Sequence, residues 1–95
     1  MKRLIFLKQE YVDETILNKS EVIKAYEKYF LQSIKSFKAQ LKEQIDNNSF
    51  KILKEVRPNA ILIEFDSEDY DKLYEKFCKA DIVAIIDSII PKELK

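Results

Sequence analysis

The chain has 95 residues, of which 46% are apolar and 36% charged, and its 17 basic residues balance its 17 acidic ones. This length predicts a single domain with one modest core over about residues 2–90 and an extended tail over 91–95. The balanced charge offers no sequence-wide attraction for nucleic acid, and the absence of glycine excludes the glycine-built phosphate loops and nucleophile elbows.

The residues that carry most enzyme chemistry are also missing. The chain has no histidine, so it holds no Ser-His-Asp or Cys-His pair. Its single cysteine, Cys78, has no second soft ligand for a structural zinc ion and is expected to be a small core or boundary residue. We therefore expect a protein that is not an enzyme on its own and that has no catalytic residues, no metal and no cofactor.

The first half of the chain predicts a strand followed by a long helix. Lys2 to Lys8 is a strand by composition, with apolar side chains on both of its faces. Asn18 can cap a helix, with Glu21 three places on in the manner of a capping box. Apolar residues then recur at spacings of three and four, in one stripe: Ile23, Tyr26, Phe30, Ile34, Phe37, Leu41 and Ile45.

The end of this helix and its length are predicted from the same region. A helix over Ser20 to Asp46 would be about 40 Å long at 1.5 Å per residue, so it either overhangs the sheet or breaks near Gln32-Ser33. Asn47 to Ser49 is expected to stop it, because asparagine tolerates the left-handed conformation that ends helices.

The second half predicts a hairpin, a second helix and a last strand. Phe50 to Val56 and Ala60 to Phe65 are strands joined by a turn that contains Pro58. Asp66-Ser67 is expected to cap a helix that runs to Ala80. Ile82 to Asp87 forms the last strand.

The resulting order is strand, helix, strand, strand, helix, strand. It predicts an α+β fold, a ferredoxin-like split βαββαβ sandwich whose four-stranded antiparallel sheet carries two helices on one face. Ala60 to Ile63 and Ile82 to Ile86 are apolar in both directions, whereas a sheet with helices on one side only should alternate apolar with polar residues. We therefore expect another, larger protein to cover the side without helices.

The start of the chain bears on its location. The apolar run Leu4 to Leu7 is too short for a secretory signal and far too short to span a bilayer. We expect a cytoplasmic protein with no membrane partner.

Lys2 to Lys8, the hairpin of Phe50 to Phe65, the helix Ser67 to Ala80 and the strand beginning Val83-Ala84 together resemble the propeptides of subtilisin-like serine proteases. The resemblance covers nearly the whole chain and depends on the order and spacing of the elements. It implies a cleaved prodomain that acts as a folding chaperone and product-like inhibitor of a protease domain, whose own catalytic residues lie downstream. An intracellular protease, such as a spore-germination protease, fits the missing signal peptide.

The resemblance also implies roles for individual residues. The tail, formed by Lys92, Glu93, Leu94 and Lys95, would lie in the protease cleft as an added strand with Lys95 at the cleavage site. The protease-facing surface of the sheet would consist of Leu62, Glu64, Ile85, Asp87 and Ile89. Asp87 would lie against the N-terminus of an enzyme helix, while Ala84 and Ile86 would face the chain's own helices.

A second interpretation stays open beside this one. The same composition fits a small ferredoxin-like binding protein, either a phage anti-defence inhibitor of a nucleic-acid machine or a module that dimerises through its open sheet. This interpretation predicts that Lys92 to Lys95 can be deleted without loss of binding, because the sheet would make the contacts.

Overall fold

The sheet has the predicted strand order. The computed structural model describes residues 1–9, 13–88, 90 and 92. Its strands are β1 (Lys2–Leu7), β2 (Lys51–Val56), β3 (Ala60–Glu64) and β4 (Val83–Asp87). They form one sheet in the order β2-β3-β1-β4, in which every pair of neighbours is antiparallel. The ferredoxin-like α+β prediction is confirmed, with each strand lying close to its predicted bounds.

The long helix predicted over Ser20 to Asp46 is two helices, α1 (Lys19–Gln40) and α2 (Lys42–Asp46). The interruption is at Leu41, with φ −108° and ψ 21°, and not at Gln32-Ser33. Leu41 still donates its N–H to the carbonyl of Phe37 at 2.9 Å, and its own carbonyl accepts from Ile45 at 3.0 Å. The apolar stripe therefore passes through the break, which is why the spacing of the stripe gave no sign of it.

The helix ends follow the sequence at two of three places. Asn18 caps α1 by accepting a 2.9 Å hydrogen bond from the N–H of Glu21. Asn48 takes the left-handed conformation, with φ 57°, just after α2. The predicted side-chain cap at Asp66 is wrong. A short 3-10 helix (Ser67–Asp69) precedes α3 (Tyr70–Lys79), and Asp66 contributes only its backbone carbonyl, which accepts from Asp69 at 3.0 Å.

One hydrophobic core lies between the sheet and the helices. Its buried residues come from both layers: Ile5, Leu7, Ile61 and Ile63 from the sheet, and Phe30, Ile34, Phe37, Leu41, Leu73 and Phe77 from the helical segments. Phe50 joins them from the start of the hairpin, with its ring centroid 5.9 Å from that of Phe37 and 5.4 Å from that of Phe77, both edge-to-face. Edge-to-face contacts suit the charge distribution of aromatic rings and add to the gain from burial.

The first half of α1 extends beyond this core. Twenty-two residues of helix span about 33 Å, whereas a six-residue strand spans about 20 Å. Ile23 is accordingly 60% exposed although it lies on the same stripe as the fully buried Phe30. The overhang is tied to the hairpin by Arg57, whose Nε and Nη2 each donate a 2.7 Å hydrogen bond to the carboxylate of Glu27. These bonds lower the pKa of Glu27.

Truncation of a core ring tests this packing. We expect Phe37→Ala to lower the free energy of unfolding by about 3 to 5 kcal/mol, because it removes a fully buried ring and leaves a cavity between Phe50 and Phe77. Urea unfolding followed by circular dichroism measures the change. Leu31→Ala, on the exposed side of the same helix, serves as the control and should change stability by less than about 0.5 kcal/mol. Equal losses for the two variants would contradict the described core.

Candidate functional site

The surface of interest is the side of the sheet that carries no helix. Residues directly opposite each other on neighbouring antiparallel strands share a face. Leu4 lies opposite Leu62 on β3 and Asp87 on β4. The pairings of these strands and of β2 place the following residues on what we call the helix-free face: Lys2, Leu4, Phe6, Lys51, Lys54, Val56, Ala60, Leu62, Glu64, Ile85 and Asp87.

Four residues of the protease-facing surface that the resemblance implies lie on the helix-free face, at different depths. Leu62 is only 2% exposed and Asp87 is half-buried, whereas Glu64 is exposed and Ile85 is 59% exposed. The fifth, Ile89, is outside the described residues. Direct contact with a partner is therefore available first to Ile85 and Glu64.

The neighbours of this surface on β4 and in the tail can be placed in part. Ile86 packs against the core on the helix side. Ala84 is exposed at the outer edge of β4, beside an irregularity in the pairing of β1 with β4. Lys92 is exposed, and the other three residues of the implied cleft-binding tail, Glu93, Leu94 and Lys95, are outside the described residues.

A second, smaller hydrophobic cluster lies under the helix-free face. Leu4, Ala60 and Leu62 are each at most 4% exposed, and Phe6, Val56 and Ile90 pack against them. Ile90 follows β4 and lies 28 positions along the chain from Leu62, so this contact closes a long loop. The expectation that only a larger protein covers this face therefore needs correction, because the chain itself supplies part of the cover.

Charged groups border the apolar part of the face. Glu64 is paired in register with Lys51 on β2 and with Lys2 on β1, so one carboxylate lies between two amines across the sheet. Opposite charges on directly facing residues each stabilise a sheet by about 0.2 to 1 kcal/mol. This end of the face thus has an exposed acid in register with two bases.

Possible metal ligands and the thiol of Cys78 can be placed on the structure. Among the described residues, no three or more histidine, cysteine, aspartate or glutamate side chains form a group that could hold a metal ion. Cys78 is exposed on α3, so its predicted place in or beside the core is wrong. Its hydrogen bond with the hydroxyl of Tyr74 raises the pKa of that tyrosine.

The chain was compared with protein families, with curated proteins and with solved structures. No protein-family model, no curated protein and no solved structure matches the chain. Over the part of the chain that the structure describes, no helix combines the length and the apolar character needed to cross a membrane.

The role of Ile90 can be measured directly. We expect Ile90→Ala to lower the free energy of unfolding by about 1 kcal/mol, because it removes apolar atoms that cover Leu4 and Leu62, and to increase the binding of a fluorescent hydrophobic dye. The matched control is Ile23→Ala, since this isoleucine is 60% exposed and belongs to neither cluster. If the two variants behaved alike in urea unfolding and in dye fluorescence, the assigned contact of Ile90 with the small cluster would be refuted.

Proposed function

We propose that the chain is a prodomain-type binding protein that docks through its helix-free face onto a subtilisin-like protease domain. The observation that carries the proposal is that the apolar side chains of the sheet continue onto this face and end in an exposed aliphatic residue, Ile85. An exposed isoleucine on a strand gains most when it is buried against a partner. Glu64 and its neighbouring lysines would form the polar rim of the contact.

The position of the tail supports the same proposal. The tail begins a few residues after β4, and the five residue-to-residue steps from Asp87 to Lys92 can reach at most about 17 Å. A partner that contacts Ile85 is therefore within reach of Lys92 as well. Two linked contacts on one partner bind more tightly than either alone, because the second forms within an existing complex.

Docking and tail release are coupled in this mechanism. Ile90 lies on the same small cluster that a partner would cover, so a partner at the centre of the face displaces it. Displacement frees the segment that follows, including Lys92, to lie in an active-site cleft as an added strand. Lys95 would then occupy the first pocket of the protease, with Leu94, Glu93 and Lys92 in the next three.

Such a complex would assist the folding of the protease and control its activity. A subtilisin-like domain is rich in pairings between distant parts of its sequence and therefore folds slowly. A protein that binds only its folded form at 100 times the dissociation constant stabilises that form by about 2.7 kcal/mol. The same complex then inhibits the mature enzyme until the tail is removed. An intracellular or spore-associated protease is the partner that this proposal favours.

Refolding and inhibition test the proposal together. We expect this chain to raise the yield of active enzyme when a denatured subtilisin-like protease domain is refolded, and to inhibit mature enzymes of this class that accept lysine in the first pocket. Ile85→Lys should weaken inhibition at least tenfold, because a charge then replaces the exposed aliphatic contact. Ile23→Lys, on the overhang of α1, is the matched control and should inhibit like the parent chain. The proposal is contradicted if the chain neither increases the refolding yield nor inhibits any protease of this class.

A stand-alone binding module is the second candidate, and the packing of Ile90 favours it. A segment that covers its own sheet already has a structural use and needs no protease cleft to explain it. Removal of residues 92–95 distinguishes the two functions. The prodomain function predicts loss of inhibition, whereas a binding module, such as an inhibitor of a phage-defence machine, keeps its partner without these residues.

A further inference from the structure

We infer that two copies of this chain pair through the outer edge of β4, so that two four-stranded sheets join into one sheet of eight strands. Among the described residues, no strand pairs with the outer side of β4, which is the last strand in the order β2-β3-β1-β4. An open edge presents a row of backbone donors and acceptors ready to pair with another strand. This inference goes beyond the proposed function and does not depend on it.

The two edges of the sheet differ in how they are protected. β2 carries the exposed charged residues Lys51, Lys54 and Glu55, and its pairing with β3 shifts register between Ile52 and Lys54. Charges and bulges of this kind are how proteins prevent strands from pairing with other chains. The pairing of β4 with β1 is also irregular, beside Ala84, so the bulge does not distinguish the two edges. The charges do, because the side chains of β4 from Val83 to Ile86 are all aliphatic and its one charged residue, Asp87, is half-buried at the end of the strand.

The edge of β4 also has an apolar groove beside it. Tyr74 and Cys78 on α3 line this groove of about 240 Å³ together with Val83, Ala84 and Ile86. A strand that pairs with β4 would place its side chains against the exposed side of α3. A partner must therefore fit the surface of α3 as well as pair with β4.

The charges of α3 identify that partner as a second copy. The helix begins after Glu68 and Asp69, and its first turn contains Asp71 and Lys72. Its last turn contains Lys76 and Lys79, and Lys79 also donates a 2.8 Å hydrogen bond to Glu75. A two-fold axis through the paired β4 strands sets the two α3 helices antiparallel, which brings the acidic start of each one to the basic end of the other. The zero net charge of the chain leaves no overall repulsion between copies.

The symmetry also sets the register and the size of the assembly. Antiparallel pairing centred on Ile85 brings this side chain against its own copy on the helix-free face, where it is now 59% exposed. Ala84 then lies opposite Ile86 of the partner subunit. Because β2 is protected, pairing uses one edge of each copy and stops at a dimer.

Sedimentation at increasing concentration, with no protease present, tests the dimer. We expect the mass to rise from 11.3 kDa toward twice this value. Ile85→Lys should raise the dissociation constant of the dimer at least tenfold, because it places two ammonium groups side by side at the axis. Leu53→Lys is the matched control, since Leu53 is also an exposed aliphatic residue on an edge strand, and it should dimerise like the parent chain.

Disulfide trapping gives a second measurement that needs no destabilising change. In a Cys78→Ser background, oxidation should link Ile85→Cys chains into dimers at several times the yield of Leu53→Cys chains, because only position 85 faces its own copy. Equal yields at both positions, or a chain that stays monomeric at the highest soluble concentration, would overturn the inference. A chain that stays monomeric overturns the inference even if the edge of β4 pairs with an extended peptide of another protein. A failed dimer leaves the protease assays unaffected, so the two proposals fail separately.

Discussion

The constraint on which the structure depends is that its two central strands are apolar on both faces. Residues of β1 and β3 alternate between the large core, through Ile5 and Ile61, and the small cluster, through Leu4 and Leu62. All four are at most 4% exposed. Apolar area that reaches water on either face costs about 25 cal/mol per Å². A fold with helices on one face only therefore has to find a second cover.

The two faces meet this requirement in different ways. On one side, α1 and α3 bring aromatic rings, Phe37 and Phe77 among them, onto Ile5 and Ile63. On the other side, Phe6 and Val56 at the borders and Ile90 from beyond β4 enclose a cluster of only three buried residues. The first cover is continuous and the second is partial, which leaves Ile85 in contact with water. The other large exposed aliphatic side chains among the described residues are dispersed, with Ile16 and Ile23 near the start of α1, Leu31 on its outer side and Leu53 on β2.

The sequence predicted those features that depend on neighbouring residues. Strand order, the cap at Asn18 and the left-handed Asn48 all follow from local patterns, and the register then brings Leu62, Glu64, Ile85 and Asp87 to one face. The break at Leu41 left no trace, because the hydrogen bonds on both sides of it preserve the helical spacing of the stripe. The contact of Ile90 with the small cluster was equally hidden, since it joins residues far apart in the chain and periodicity reports only on near ones. The site was thus predictable as a set of residues but not as a surface with a cover of its own.

Ile90 affects the binding of any molecule that competes for the part of the helix-free face that this side chain covers. Such a competitor binds only the fraction of molecules in which the segment has lifted away, so its apparent dissociation constant is the intrinsic one divided by that fraction. If lifting costs about 1.4 kcal/mol, roughly a tenth of the population is receptive and the apparent affinity falls about tenfold. The contact of Ile90 thereby sets a minimum affinity for binding at this surface. A weakly binding molecule does not displace this side chain, whereas a well-matched partner does.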